Sequence, residues 1–236
     1  MIKNNYKKIA VIGALDYEVE IIIKELSNIK KHVNAATTIY EGDIASYKVA
    51  VMKCGMGKVS AAVGTQMLID IFKPECVINL GCAGALHPEL KIGDVVISEN
   101  VIEWDLDLRQ IGYELGYIDA LKTVKIPADC FLSDSIMSIV SDDKSVNVKK
   151  GTIVSGDQFI STDLQRKYIL TNFPDALCAE MEGAAVGHTC KQNNIPFCIL
   201  RTMSDTADGN SNIDFAKFSV LAGKKSAEWF LKLISD

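Results

Sequence analysis

At 236 residues, 48% of them hydrophobic and 23% charged, the chain has an ordinary globular composition and is long enough to bury a large core in one α/β domain. A formal net charge of −5, with acidic and basic residues interspersed, leaves no basic stripe for nucleic acid or for a membrane surface. No apolar run approaches a membrane-crossing helix, the seven scattered cysteines with no CxxC pair read as reduced thiols of a cytoplasmic protein, and His32, His87 and His188 fall at no metal-ligand spacing.

Lys3, Lys7 and Lys8 precede an apolar run from Ile9 to Leu15 that imitates a signal peptide, but Asp16 and Glu18 follow at once. The segment reads better as a first buried strand, Lys8 to Gly13, closed by Gly13-Ala14. Asp16 to Ile29 then places Val19, Ile22, Ile23 and Leu26 at helical spacing. The turn between them lacks GxGxxG, so it is no dinucleotide fingerprint. Glu18 falls in the first helical turn, where the helix dipole favours a carboxylate whatever else it does.

Residues 37–41 and 46–54 read as strands joined by the turn GDIA. Gly55 and Gly57 permit a tight turn into an apolar helix, Lys58 to Phe72. GMGK looks like half a phosphate loop, but the G-x-x-x-x-G-K-[ST] spacing is missing, and a close-packed strand-to-helix turn is the better reading. Cys76 to Leu80 is a buried strand that runs into GCAGAL, where small residues let the backbone approach a ligand or a helix closely. After a strand at Val95 to Ser98, residues 99–125 form an irregular excursion carrying Trp104, Asp105, Asp107, Arg109, Tyr113 and Tyr117. Its length suits a lid, a binding loop or an interface.

The second half alternates again. Helices are expected at 133–141 and 164–170, and strands at 150–154 and 177–179, the first of these ending in SGDQFI. EMEGAAVGHTCKQNN follows the second as a helix packed through small residues. Residues 197–200 are a buried strand that turns polar at Arg201, Ser204, Asp205 and Asp208. A last helix, 215–234, would be capped by Asp214 and bury a stripe of Phe218, Leu221, Ala222, Trp229, Phe230 and Leu233. Alternating strands and helices without linker or repeat predict a single α/β domain with a parallel or mixed sheet.

Ligands of such sheets bind past the carboxyl ends of strands. Four of those ends carry unusual residues: Glu18, the GCAG run, SGDQFI, and the AEME and SDTAD pair. Three acids stand out: Glu18, Glu182 and Asp205. Each also has a plain structural explanation, as a turn cap or as an acid at a helix N-terminus. For Glu180 and Glu182 together, that explanation covers one acid better than both.

The segments IGAL-x-x-E-V, CGMGKVSAA, N-x-G-x-AG, SGDQFI, AEMEGAA and RTMSDTAD resemble, in order and over roughly residues 9–234, the bacterial 5′-methylthioadenosine/S-adenosylhomocysteine nucleosidases of the purine nucleoside phosphorylase-like family. The resemblance implies one nucleosidase domain over residues 1–236, three-layered α/β/α with a central twisted mixed sheet, in a homodimer. It implies that Asp205 is the general acid at N7 of the leaving adenine, held by Ser204. Glu18 would activate water, and Glu182 would grip the ribose hydroxyls beside Met181. Arg201 and Cys82 would sit around the water and the ribose, with Ala83 and Gly84 of the N-x-G-x-AG segment. Phe159 would stack on adenine while the backbone of Ile160 reads its edge. Leu15, Met56 and Phe215 would wall the 5′ pocket, and Leu108, Ile111 and Tyr113 would reach it from a partner subunit. The implied reaction releases adenine from methylthioadenosine or S-adenosylhomocysteine, with 5′-deoxyadenosine as a further substrate, in methionine salvage and methyl-group recycling. No cofactor, metal, nucleic acid or membrane is called for.

The residue types suit that chemistry. An N-glycosidic bond breaks through an oxocarbenium-like transition state, and a purine leaves badly unless its ring nitrogen is protonated. One acid, one base and a group that strengthens its hold on the sugar hydroxyls are needed, with carboxyl pKa values pushed apart. The sequence departs from the family at Cys82, commonly serine, at Leu15, commonly methionine, and at Ile111, commonly phenylalanine. A thiol donates weakly and accepts poorly. The alternatives are a phosphorylase on the same fold, a hydrolase of a larger adenosine derivative such as aminodeoxyfutalosine, and a nucleoside-binding protein without catalysis. Glu18 and Asn79 stand where phosphate-binding arginines would be, which favours water over phosphate.

Overall fold

The computed structural model describes residue 2 and residues 5–34, 37–207 and 211–235, with backbone alone for 211–213. Lys3, Asp208 of the SDTAD stretch and Gly209 after it lie outside the described residues. The elements in order are β1 (Lys8–Gly13), α1 (Asp16–Glu25), β2 (Ser27–Asn34), β3 (Thr37–Ile44), β4 (Tyr47–Lys53), α2 (Lys58–Phe72), β5 (Cys76–Ala85) and β6 (Val95–Glu103). They continue as β7 (Ile126–Pro127), α3 (Cys130–Ser141), β8 (Val148–Ser155), α4 (Asp163–Asn172), β9 (Ala176–Glu180), α5 (Gly183–Gln192), β10 (Phe197–Asp205) and α6 (Ser211–Ile234).

β1 shows why the molecule is layered. Its side chains alternate between two faces, as a strand requires. Ile9 and Val11 pack with Val19 and Ile22 of α1, Leu132 and Ile136 of α3, and Trp229 and Phe230 of α6. Ala10 and Ile12 pack on the other face with Leu68 and Phe72 of α2 and Ala184 and Val186 of α5. Both faces are covered, so β1 reads as a continuous apolar run.

The sheet is mixed. β5 runs parallel to β1 on one side and to β10 on the other. β10 is antiparallel to β6, β6 is parallel to β8, and β8 is parallel to β9. β9 returns to β5 at two residue pairs only, Gly84 with Ala179 and Ala85 with Cys178. These five strands thus close a ring of pairings, and their last short contact brings the carboxyl ends of β5 and β9 together. β1, β4, β3 and β2 extend the sheet outward. No helix among the described residues is long and apolar enough to cross a membrane.

Several boundaries differ from the sequence expectation. The first helix stops at Glu25 instead of Ile29, and residues 27–34 pair with β3 as a strand. That strand is exposed at every residue but His32, so no apolar alternation advertises it. Only the last residue of GDIA turns: Gly42 pairs with Val49, Asp43 with Lys48 and Ile44 with Tyr47, and the chain turns at Ala45, with φ of 50°. β5 and β6 run on to Ala85 and Glu103, so the excursion begins at Trp104, with one 3-10 turn at Arg109–Ile111. The last helix starts at Ser211, which puts Asp214 inside its first turn, not at its cap. Leu221 is 59% exposed and leaves the buried stripe. β10 does not end where the sequence turns polar. It continues through Arg201 to Asp205, with all nine residues buried.

Candidate active site

A single cleft gathers the carboxyl ends of β1, β5, β9 and β10 and the loop after β8. It holds about 590 Å³ of empty space with its open mouth included.

Glu18 is the first polar group in it. It is only 2% exposed. Leu15 occupies the N-cap of α1, and Glu18 reaches back so that its Oε2 accepts the N–H groups of Ala14 at 2.7 Å and Leu15 at 2.9 Å. Its Oε1 faces Cys82, accepting the backbone N–H at 3.3 Å and the thiol at 3.7 Å. A Cβ at residue 81 would lie 2.8 Å from that oxygen, so only glycine leaves room for the carboxylate. Burial pushes the Glu18 pKa up, against the pull of the Arg201 charge and of the three backbone amides. Burial, then Glu18, likewise holds the Cys82 thiol far above its ordinary value, so Cys82 is a neutral donor.

Two further acids follow β9 and have separate surroundings. Glu180 accepts the N–H of Glu182 at 3.1 Å and of Gly183 at 2.8 Å, and also takes the Ser155 hydroxyl. It pairs with Arg201, both side chains being at most 2% exposed. Glu180 is thus the anion at the N-terminus of α5, the position the dipole favours. Glu182 is left to face the cleft. Its Oε1 accepts the Gly57 N–H at 2.8 Å, across from the N-terminus of α2. Burial raises its pKa, and the neighbouring Glu180 carboxylate raises it further.

Asp205 is the last residue of β10 and is 2% exposed. Ser204 Oγ donates to its Oδ2 at 3.0 Å, and the Ala207 N–H donates to its Oδ1 at 2.9 Å. A Cβ on Gly84 would sit 2.7 Å from Oδ1, so the small residues at the carboxyl end of β5 serve this carboxylate's approach. Phe159, from the loop after β8, is 38% exposed and meets the Phe215 ring edge-on, with centroids 5.4 Å apart. Ile160 beside it is buried.

Of the residues singled out from sequence, Leu15, Glu18, Met56, Cys82, Ala83 and Gly84 line this cleft. So do Phe159, Ile160, Met181, Glu182, Ser204, Asp205 and Phe215. Arg201 does not. It lies beneath the floor, 1% exposed. Its Nε and Nη2 meet Glu180, Nη2 also meets Asn79 Oδ1 at 2.5 Å, and Nη1 donates to the Leu200 carbonyl at 3.2 Å and the Asn79 carbonyl at 3.4 Å. Leu108, Ile111 and Tyr113 lie in the excursion and line no part of the cleft of their own chain. Ile111 is 71% exposed and Tyr113 40%. Glu180, Ala14, Gln158 and Ala179 also line the cleft. Glu180 had a legible signal in the paired acids, whereas the other three are ordinary residues next to motif positions. Among the described residues no group of three His, Cys, Asp or Glu side chains is arranged to hold a metal ion.

Comparison with known proteins gives this geometry a family. The phosphorylase superfamily profile matches residues 8–235. The 5′-methylthioadenosine/S-adenosylhomocysteine nucleosidase of Staphylococcus carnosus is 40% identical over 228 residues, covering 97% of this chain and 99% of that protein. The crystal structure of the Neisseria meningitidis nucleosidase with methylthio-immucillin-A superposes with a TM-score of 0.93 at 34% identity, covering 97% of this chain and 99% of that one. The Colwellia psychrerythraea 34H nucleosidase bound to adenine gives 0.92 at 31% identity, covering 97% and 94%. The chain therefore belongs to the phosphorylase superfamily and, within it, to the 5′-methylthioadenosine/S-adenosylhomocysteine nucleosidases.

Proposed function

We propose that the chain hydrolyses the N-glycosidic bond of 5′-methylthioadenosine and S-adenosylhomocysteine, releasing adenine and the 5′-substituted ribose. One observation carries this reading. Three carboxylates, Glu18, Glu182 and Asp205, converge on one apolar cleft, and none of its described lining residues is Lys or Arg. Arg201, buried beneath the cleft floor, spends its guanidinium nitrogens on Glu180, Asn79 and the Leu200 carbonyl. Phosphate would meet carboxylates where it needs cations, whereas water would meet a base.

In this reading adenine stacks on Phe159 and the backbone at Ile160 meets its edge. Glu182 holds the ribose hydroxyls, a contact that strengthens as positive charge grows on the ring. Asp205, steadied by Ser204, delivers a proton to N7 as the bond from C1′ to N9 breaks. Glu18 takes a proton from water as its oxygen bonds to C1′, so the sugar leaves as the free ribose and adenine leaves neutral. Cys82 lends Glu18 and the water a weak thiol donor. Leu15, Met56 and Phe215 would wall the 5′ substituent, and an apolar wall suits a thioether. The same wall would admit 5′-deoxyadenosine, and a longer 5′ group such as that of aminodeoxyfutalosine if the mouth stays open.

The reading includes a homodimer in a cytoplasmic setting. Ile111 and Tyr113 are apolar and exposed on the excursion, as are Val59 and Val63 on α2 and Met56 at the cleft itself. A partner's excursion seated there would complete the 5′ pocket with its Leu108, Ile111 and Tyr113. The reading is tested by incubating the protein with methylthioadenosine in phosphate-free buffer. Adenine should appear at the full rate, with methylthioribose. A reaction that stops without phosphate and yields ribose 1-phosphate with it would overturn the proposal.

A further inference from the structure

A second cluster of charges lies beside the cleft without lining it. Lys58 Nζ donates to Asp105 Oδ1 at 2.6 Å and lies 3.5 Å from Glu103 Oε2. Glu103 Oε1 meets His188 Nδ1 at 2.7 Å. The side chains of Lys58, Asp105 and Glu103 are only 16%, 17% and 11% exposed, so these contacts are poorly screened by salt. Burial, the largest single influence, would lower the Lys58 pKa, but the hydrogen bond and charge of Asp105 together with the charges of Glu103 and Asp157 raise it overall.

This cluster reaches the cleft through the backbone. The Asp157 N–H donates to Asp105 Oδ2 at 2.8 Å, and Asp157 Oδ1 accepts the Lys58 N–H at 2.8 Å. One residue earlier, the Gly57 N–H holds Glu182. Two consecutive amides at the start of α2 therefore fix both the sugar-side carboxylate and the loop that carries Phe159. Gly57 has a φ of 92°, and a Cβ there would lie 3.1 Å from Asp157 Oδ1, so the arrangement also depends on a glycine. His188 closes the ring of contacts, because it sits on α5, whose N-cap is Glu182.

We propose that Lys58 and Asp105 are positioning residues, whose ion pair seats the base-binding loop, residues 157–160, against Glu182. The proposal rests on the hydrolytic reading above for what fills the cleft. Asp105 can hold the Asp157 amide in place only while its own carboxylate is fixed, and Lys58 is what fixes it. Without the ammonium the carboxylate turns to water and the loop loses its anchor. Displacement of a positioned loop by about 1 Å is enough to spoil stacking and proton transfer.

The test uses the full chain with Lys58→Met, Asp105→Asn, the double variant and Lys58→Arg. Calorimetry measures two probes separately, adenine and methylthioribose. Each single loss should weaken adenine on the order of 10-fold and leave methylthioribose within about 2-fold. The double variant should lose no more than the worse single one, because the pair acts as a unit, and Lys58→Arg should recover adenine to within about 3-fold of the parent. Unchanged adenine affinity, additive losses, or equal losses on both probes would overturn the proposal. If Lys58→Met does not fold, Asp105→Asn and Lys58→Arg carry the same comparison. A parent chain that binds no adenine would overturn the hydrolytic reading itself, whereas variants that bind adenine as the parent does would overturn only the positioning role.

Discussion

The Cys82 thiol points at the Glu18 carboxylate, with Sγ 3.7 Å from Oε1, and the backbone N–H of the same cysteine lies 3.3 Å from that oxygen. A serine would make the side-chain contact shorter and stronger, since hydroxyl donors to a charged acceptor outperform thiols. Cys82→Ser should therefore keep or raise kcat on methylthioadenosine, by up to about 10-fold. Cys82→Ala should lower it. A Cys82→Ser variant slower than Cys82→Ala would show that the thiol serves packing and not the carboxylate.

Glu18 carries the clearest pH signature. As the proposed base it acts only when ionised, and burial lifts its pKa above the ordinary 4.5. The acid limb of the pH–rate profile should accordingly lie above that value, with activity falling as pH drops through it. Glu18→Gln should cost about 10² to 10⁴ in rate while nucleoside binding persists, because an amide takes no proton.

The same shift has a consequence for stability. A carboxyl whose folded pKa is raised binds its proton more tightly in the native state. Stability is therefore full below the unfolded value near 4.5 and is lost as pH rises through the folded one. At neutral pH, above the unfolded value, the buried Glu18 carboxyl costs the fold stability. Glu18→Gln should then melt at a higher temperature than the parent at pH 7, with the gap closing at pH 4. Equal melting temperatures at both pH values would mean that the backbone amides offset burial entirely.

The excursion gives a further prediction. The chain should elute with twice its 25.8 kDa mass when light scattering is read across the peak. Ile111→Glu puts a charge on an exposed apolar position and should both dissociate the dimer and lower kcat/KM by about 10-fold or more. A monomer with full activity would place the whole 5′ pocket within one chain.

How much of this was legible in the sequence depends on what the signal is made of. Glu18, Glu182 and Asp205 could be read because each lies at or just past the carboxyl end of a buried strand, where α/β sheets bind ligands. Their motifs also keep fixed spacing. β1 and the start of β5 could be read because they are apolar runs closed by glycines, and α2 because Gly55 and Gly57 open an apolar run. β2 could not, since its residues are exposed on a sheet edge and carry no apolar period. The polar end of β10 misled for the opposite reason. Arg201 looks like the start of a loop, yet Glu180, far away in sequence, neutralises it inside the sheet. The roles of Lys58 and Asp105 were hidden likewise, because their partners are about fifty residues apart along the chain.

The central claim is that Asp205 delivers a proton to the leaving base, and a comparison of two leaving groups tests it most directly. Adenine leaves poorly and needs the proton, whereas a 5′-thio ribose carrying nitrophenolate leaves as a stable anion. Asp205→Asn should lose about 10² to 10⁴ in kcat/KM on methylthioadenosine and far less on the nitrophenyl analogue. Equal losses on the two substrates would contradict the account, since a residue that only shapes the site slows both alike.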